Sequence, residues 1–383
     1  MFSRLFKPLK EKSFFLFGPR GTGKTSWVKT YLPEGKRFDL LDDALYRELL
    51  SAPERIETYL KNHPSHQWII LDEVQRIPPL LNHVHRLIES EGYRFVLTGS
   101  SARKLKSRGV NLLAGRALTE TMHPLTTREV KEAFDLNRAL SFGMLPQVFS
   151  EKHPSSYLES YVTTYLREEV MQEGIVRNLS NFSRFLESAS FSQASLLNIS
   201  AVARDCGIER KVVESYFQIL EDLLIAFRLP VFTKKAKRKL IHQNKFFFFD
   251  CGVFQTIRPK GPLDSDSNLF GQALETLFIQ EIRALNDYLR WKYDLYFWHT
   301  ADHKHEVDLV CYGEKGLKAF EIKKTQRLRD EDLEALRLFK KDYPMADVFF
   351  IYGGSKAYSR FDIHILPIEE AFNNVCTIME TGV

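Results

Sequence analysis

Phe14-Phe15-Leu16-Phe17-Gly18-Pro19-Arg20-Gly21-Thr22-Gly23-Lys24-Thr25 is an apolar run that stops at a glycine-rich turn and restarts as a helix. Its last eight residues fit G-x-x-x-x-G-K-[ST]. Four consecutive apolar residues read as a strand buried on both faces, and Trp27, Val28, Tyr31 and Leu32 give the following segment an amphipathic helical spacing. A strand that ends in glycines and reopens as a helix points a row of backbone N–H groups at one spot. Gly18, Pro19, Arg20, Gly21, Thr22 and Gly23 are therefore expected to cradle a nucleotide phosphate. Lys24 reaches the β/γ oxygens, and Thr25 offers its hydroxyl to Mg²⁺.

A metal held this way needs a carboxylate from a neighbouring strand. Trp68-Ile69-Ile70-Leu71-Asp72-Glu73 supplies one at the end of a second apolar run. Asp72 is the expected metal ligand, and Glu73 the expected base that orients the attacking water. A third strand, Arg94-Phe95-Val96-Leu97, runs into Thr98-Gly99-Ser100-Ser101. Thr98 and Ser100, and less directly Ser101, are placed to touch the γ-phosphate or the water; they also fit as N-caps of the segment that follows. Arg116, just before the strand from Ala117 to Met122, is a candidate cation for transition-state charge, in cis or as an arginine finger in trans, with Arg103 and Arg108 as alternatives. The other reading of Arg116 is a surface ion pair. Strands alternating with helices specify an α/β fold, a parallel sheet with its site at the strands' carboxyl ends.

Gly-Pro-Arg-Gly-Thr-Gly-Lys-Thr, Leu-Asp-Glu-Val-Gln-Arg (71–76), Leu-Thr-Gly-Ser-Ser-Ala-Arg (97–103) and Leu-Ala-Gly-Arg (113–116), in that order, resemble the prokaryotic AAA-like P-loop ATPases that carry a C-terminal domain of unknown function. The resemblance covers the whole chain. It implies an AAA+ core over 1–130 that uses ATP and Mg²⁺, with a strand inserted between the P-loop strand and the Asp72 strand. It also implies a winged-helix-like middle over 131–260 and a restriction-endonuclease-like domain over 268–383.

In the middle, Gly143-Met144-Leu145-Pro146 resembles the junction after the ATPase core of that family. Helices are expected over 157–170 and 182–194. Residues 199–208 and 211–223 read as helix, glycine turn, helix, with 224–232 as a wing strand. The outward side chains of the second helix include Glu209, Glu214 and Glu221, too acidic for a groove-reading helix, so a packing role fits better. The denser cationic run Lys234, Lys235, Lys237, Arg238 and Lys239 is the candidate contact to DNA phosphates; its other reading is a solvated loop. Asp250, after Phe246–Phe249, reads as a turn residue.

Near the C-terminus, Glu306–Tyr312 and Leu317–Lys323 flank Gly313-Glu314-Lys315-Gly316, a hairpin-length turn. If Tyr312 faces Leu317, then Asp308 faces Glu321 and Glu306 faces Lys323, all on one side, while Val307, Leu309, Phe320 and Ile322 form the core side. Opposed carboxylates destabilise a sheet unless something binds them. A second divalent metal, Mg²⁺ or Mn²⁺, on Asp308 and Glu321 with Lys323 beside it is the simplest reason. Asp308, Glu321 and Lys323 also resemble the D…E-x-K pattern of restriction-endonuclease-like nucleases, and Glu275 resembles their extra helical acid. An active nuclease, a degenerate nuclease fold and a solvated charged hairpin all fit.

The remaining composition is permissive. With 44% hydrophobic and 27% charged residues the chain is of ordinary globular type. Its N-terminus lacks a secretory h-region, and no apolar run approaches membrane-spanning length. Its four cysteines, Cys206, Cys251, Cys311 and Cys376, are too far apart for C-x-x-C metal spacing, which fits a reducing cytoplasm. A net charge of +5 permits DNA binding without arguing for it. The combined expectation is an ATP hydrolase coupled to a nuclease-like domain acting on or sensing DNA, with a homo-oligomer required if Arg116 acts in trans and no membrane partner. The alternative is a nucleotide-dependent switch or scaffold whose C-terminal domain binds without cutting, in a role such as prokaryotic defence.

Overall fold

The structure is a computed structural model that describes residues 2–100, 113–172, 176, 178–233, 243–261, 266–300, 302 and 304–381. It divides into two compact units. One is Arg4–His123 with Asp222–Ile225; the other holds the rest of the chain.

The first unit is built on a five-stranded parallel sheet of β1 (Ser13–Phe17), β2 (Lys36–Asp39), β3 (Trp68–Asp72), β4 (Arg94–Gly99) and β5 (Ala117–Thr121), in the order β2-β3-β4-β1-β5. Thus β4 lies between the P-loop strand and the Asp72 strand, as the resemblance implies. Helices cover the sheet, so β1 is buried along its whole length and reads as an unbroken apolar run. Phe15 and Phe17 stack within a core that includes Leu71, Val84 and Leu97. Because the strands are parallel, the carboxyl ends of β1, β3 and β4 come together at one edge, which places the loops after Phe17, Asp72 and Gly99 side by side.

The second unit contains a three-stranded antiparallel sheet, β6 (Ser195–Leu196), β7 (Ala226–Leu229) and β8 (Lys245–Phe248), in the order β6-β8-β7. Helices Ile199–Cys206 and Arg210–Asp222 precede β7 and are separated by Gly207 at φ 64, the left-handed C-cap that the sequence implied. The helix expected over 157–170 is interrupted: Tyr161–Leu166 is a π-helical stretch between two α-helical ones. Asp250 is a fixed structural acceptor. Its buried carboxylate takes N–H bonds from Met144 at 2.7 Å, Gly252 at 2.9 Å and Val253 at 3.1 Å. Gly143, at φ 73, lies so close to this carboxylate that a Cβ would collide with it, which accounts for the glycine in the Gly143–Pro146 junction.

The C-terminal half of this unit is a six-stranded mixed sheet of β9 (Asp294–His299), β10 (Glu306–Gly313), β11 (Gly316–Lys323), β12 (Asp347–Tyr352), β13 (Tyr358–Arg360) and β14 (Ile363–Pro367), in the order β13-β14-β12-β11-β10-β9. Helix Asp266–Tyr288 contributes Leu274, Phe278 and Ile282 to the same core.

That helix also carries Glu281, buried beside Thr127. The Thr127 hydroxyl donates to it at 2.7 Å and the Thr127 N–H at 3.0 Å. Burial outweighs those bonds and pushes the carboxyl from 4.5 up to about 7. The folded state therefore holds a proton that the unfolded state releases above pH 4.5. This contribution is complete below the unfolded value and is lost as pH rises to about 7, on the order of 3 kcal/mol in all. Glu281→Gln keeps an acceptor for Thr127 and cannot ionise. Chemical denaturation at pH 5 and pH 7.5 is expected to show a smaller pH-dependent loss in the variant; equal losses in both proteins would refute the assignment.

Candidate functional site

The turn after β1 takes the shape its glycines allow. Gly21 and Gly23 adopt φ 83 and 91, which side-chain-bearing residues rarely do, and the helix Lys24–Tyr31 begins directly after. The Lys24 ammonium is buried and donates to the carbonyls of Gly18 at 2.7 Å and Pro19 at 3.1 Å. Thr22 closes the turn by donating to the Pro19 carbonyl at 2.8 Å. Arg4 braces it from outside through the carbonyls of Thr22 at 2.6 Å and His123 at 2.7 Å. Arg20 is exposed at the rim of the turn.

Across the sheet edge, Asp72 comes to the same place. The Thr25 hydroxyl lies 3.4 Å from Asp72 Oδ2, the Thr98 hydroxyl bonds Oδ1, and the Arg37 guanidinium from β2 pairs with Oδ2. A hydroxyl and a carboxylate converging on one point are the oxygen donors that Mg²⁺ prefers, so these residues fit the metal that the P-loop implies. Glu73 follows at φ 62, a left-handed conformation unusual for a glutamate, which turns the chain sharply out of β3. The Gln75 side-chain amide donates to Glu73 at 2.5 Å and to the Ser100 hydroxyl at 3.3 Å. Thr98 is fully buried: its hydroxyl donates to Asp72 and accepts the Glu73 N–H at 3.3 Å. Thr98 is thus a residue that positions both acids, and Ser100 reaches Glu73 through Gln75.

Arg116 is elsewhere. It immediately precedes Ala117, which pairs with Ser13, whereas the P-loop leaves β1 after Phe17, the partner of Thr121. At ~3.3 Å per residue the two ends are roughly 13 Å apart along the sheet. Arg116 instead pairs with Glu89 of helix Leu80–Glu91, with 37% and 50% of the two side chains exposed. Strand direction thus puts Arg116 at the opposite end of the sheet from the turn after β1. Ser101, Arg103 and Arg108 lie outside the described residues.

The hairpin register follows the sequence expectation where the turn pins it, with Tyr312 opposite Leu317 and Leu309 opposite Phe320. Asp308 and Glu321 come just beyond this ladder, and both are buried. Asp308 Oδ2 accepts the Ile322 N–H at 2.8 Å. Glu306 does not face Lys323 as expected. A register shift between Val307 and Val310 against β9 re-aims this stretch, and Glu306 turns to Lys245 instead. Lys245, at the start of β8, is 1% exposed, and its ammonium lies 2.5 Å from Glu306, 2.8 Å from Glu275 and 3.4 Å from Asp308. Lys323 lies 3.4 Å from both Glu321 and Asp332.

The charge balance is set by burial. It opposes the ammonium of Lys245, yet attraction from Glu275, Asp308 and Glu306 outweighs it and holds the group well above the ordinary lysine value. Burial and the nearby Asp308 push Glu275 up to about 8 and Glu321 well above the carboxylate range. Of the two acids expected to hold a second metal, Asp308 has the Lys245 ammonium beside it at 3.4 Å and Glu321 has Lys323 at 3.4 Å. Among the described residues, no group of three or more His, Cys, Asp or Glu is placed to hold a metal ion.

Arg4, Arg37 and Lys245 were missed in the sequence, since each acts through a partner far along the chain, and Gln75 was missed because a sharp turn after β3 brings it back onto Glu73. The run Lys234, Lys235, Lys237, Arg238 and Lys239 lies outside the described residues. No described helix is long and apolar enough to cross a membrane.

Comparison with known proteins divides the chain in three. Residues 10–131 match the model of an AAA domain, residues 133–264 a domain of unknown function, DUF8612, and residues 270–371 another, DUF4143. An uncharacterized protein of Methanocaldococcus jannaschii is 22% identical over 342 residues, which span 80% of this chain and 74% of that protein. Similar solved structures include the Aeropyrum pernix ORC1 protein in complex with DNA, with TM-score 0.31 and 14% identity over 66% of this chain and 86% of that one. They also include protein VC1899 from Vibrio cholerae, with TM-score 0.26 and 11% identity over 95% and 97% of the two chains. Scores this low leave the argument to the chain's own sheet order and to the AAA match, which supports a P-loop nucleotide-binding function for the first unit.

Proposed function

We propose that the chain is a Mg²⁺-dependent ATP hydrolase of the AAA class, and that its C-terminal domain binds nucleic acid or a partner without cutting. The convergence of the Thr25 hydroxyl and the Asp72 carboxylate, 3.4 Å apart beside the Lys24 turn, carries the first part. The backbone N–H groups of Gly21–Thr25 and the Lys24 ammonium bind the phosphates. Thr25 and Asp72 would hold Mg²⁺, which would supply charge neutralisation to the phosphates. Glu73 accepts the proton of the attacking water, with its carboxylate oriented by Gln75. Thr98 fixes Asp72 and the Glu73 backbone together, so the metal ligand and the base keep one spacing.

For the C-terminal domain, the sequence pattern of Asp308, Glu321 and Lys323 supports a restriction-endonuclease-like ancestry. The lysine among its carboxylates favours the non-cutting reading over an active nuclease. A role for Arg116 at a nucleotide belongs to a neighbouring subunit's site; mass in solution with and without ATP reads that requirement.

The test is ATP turnover in Mg²⁺ and in EDTA, with and without DNA, beside cutting assays on linear, circular and branched DNA in Mg²⁺ or Mn²⁺. The expected result is metal-dependent turnover and intact DNA. Cutting by the wild type that disappears in Lys323→Ala would overturn the non-cutting reading while leaving the ATPase standing.

A further inference from the structure

We propose that Lys245 is the resident cation of the Glu275–Glu306–Asp308 cluster, a tethered ammonium that takes the place of a divalent metal and excludes one. The assignment gives the non-cutting reading its physical basis, yet it can fail separately, because it is read from metal binding rather than from turnover or cutting.

The ammonium is fully engaged by acids. It donates to Glu275 at 2.8 Å and to Asp308 at 3.4 Å, and it forms an ion pair with Glu306 at 2.5 Å. The oxygens are also committed: Asp308 places Oδ1 toward Lys245 and gives Oδ2 to the Ile322 N–H. A divalent ion would need these oxygens at about 2.0–2.6 Å from its own centre, in the volume the ammonium fills. The lysine has little means of leaving. Its strand pairs on both sides, with Leu196 on β6 and Leu229 on β7, and its side chain is 1% exposed, with the ammonium 5.8 Å from the Phe297 ring centre. The cation therefore arrives with the fold: β8 delivers it to carboxylates on helix Asp266–Tyr288 and on β10. One oxygen, Glu321 Oε2, is buried without a hydrogen-bond partner among the described residues, and it is not among the oxygens that Lys245 engages.

The substitution Lys245→Met removes the charge and keeps most of the stem. Thermal unfolding is expected to fall by roughly 10 °C, since one partner of a buried ion pair is lost. Millimolar Mn²⁺ without nucleotide is expected to raise the Tm of the variant well beyond any shift it causes in wild type, where the metal site of Thr25 and Asp72 is equally present. No rescue of a folded Lys245→Met, or an equal Mn²⁺ shift in wild type, would overturn the proposal. If the variant does not fold, the wild type decides. Without nucleotide, its Mn²⁺ titration followed by electron paramagnetic resonance should match that of Asp308→Asn. Stoichiometric Mn²⁺ bound by wild type and lost in Asp308→Asn would show that the ammonium does not exclude the metal.

Discussion

Lys24→Ala is expected to lower Mg²⁺-dependent ATP turnover at least ~100-fold, because it removes the only side-chain charge that the phosphate turn itself aims inward. Arg20, the other cation of the turn, is exposed at its rim. The Lys24 ammonium already lies against the turn, within 3.1 Å of two of its carbonyls, so a small movement carries it to phosphate oxygens. The substitution should spare the fold. Thr22 still closes the turn and Arg4 still braces it, and neither bond involves Lys24. Nucleotide binding should weaken together with turnover, since the lost charge acts on the bound phosphates before and during reaction. Turnover within a few-fold of wild type, in a variant of unchanged Tm, would sink the nucleotide-site assignment.

The parts of this site legible in the sequence were those whose cause is local. A parallel strand buried on both faces must be apolar along its length, so β1, β3 and β4 announced themselves, and the residues after them could be named. The C-terminal register was legible for a similar reason, since a short turn between glycines fixes which residues face each other. The errors came from partners that sequence spacing cannot bring together. Lys245 looks like the polar end of a phenylalanine run, and only the packing of β8 against helix Asp266–Tyr288 and β10 makes it a counter-ion. Arg37 sits in a short polar strand with no motif, yet it reaches Asp72 because β2 pairs with β3 and places it opposite Ile70, two residues before Asp72. Arg116 shows the reverse failure. Its Gly-Arg motif is suggestive, but the parallel pairing of β5 with β1 carries it to the end of the sheet opposite the turn after β1.

Glu73→Gln is expected to separate hydrolysis from binding, retaining ATP affinity while turnover falls about 10²–10³-fold. The acid lies outside the phosphate turn, and its carboxylate accepts from the Gln75 amide at 2.5 Å. Its backbone holds a left-handed φ of 62 and its N–H donates to Thr98, so a glutamine can take the same place with nearly the same shape. What it cannot do is accept a proton from water. Gln75→Ala tests the positioning step alone: Glu73 stays ionisable but loses its orienting donor, so turnover should fall less than in Glu73→Gln, with affinity again unchanged. Equal turnover in wild type and Glu73→Gln would remove Glu73 from the reaction. A loss of affinity matching the loss of turnover would mean that the residue serves binding, because a proton acceptor used only in the transition state cannot alter the ground-state complex.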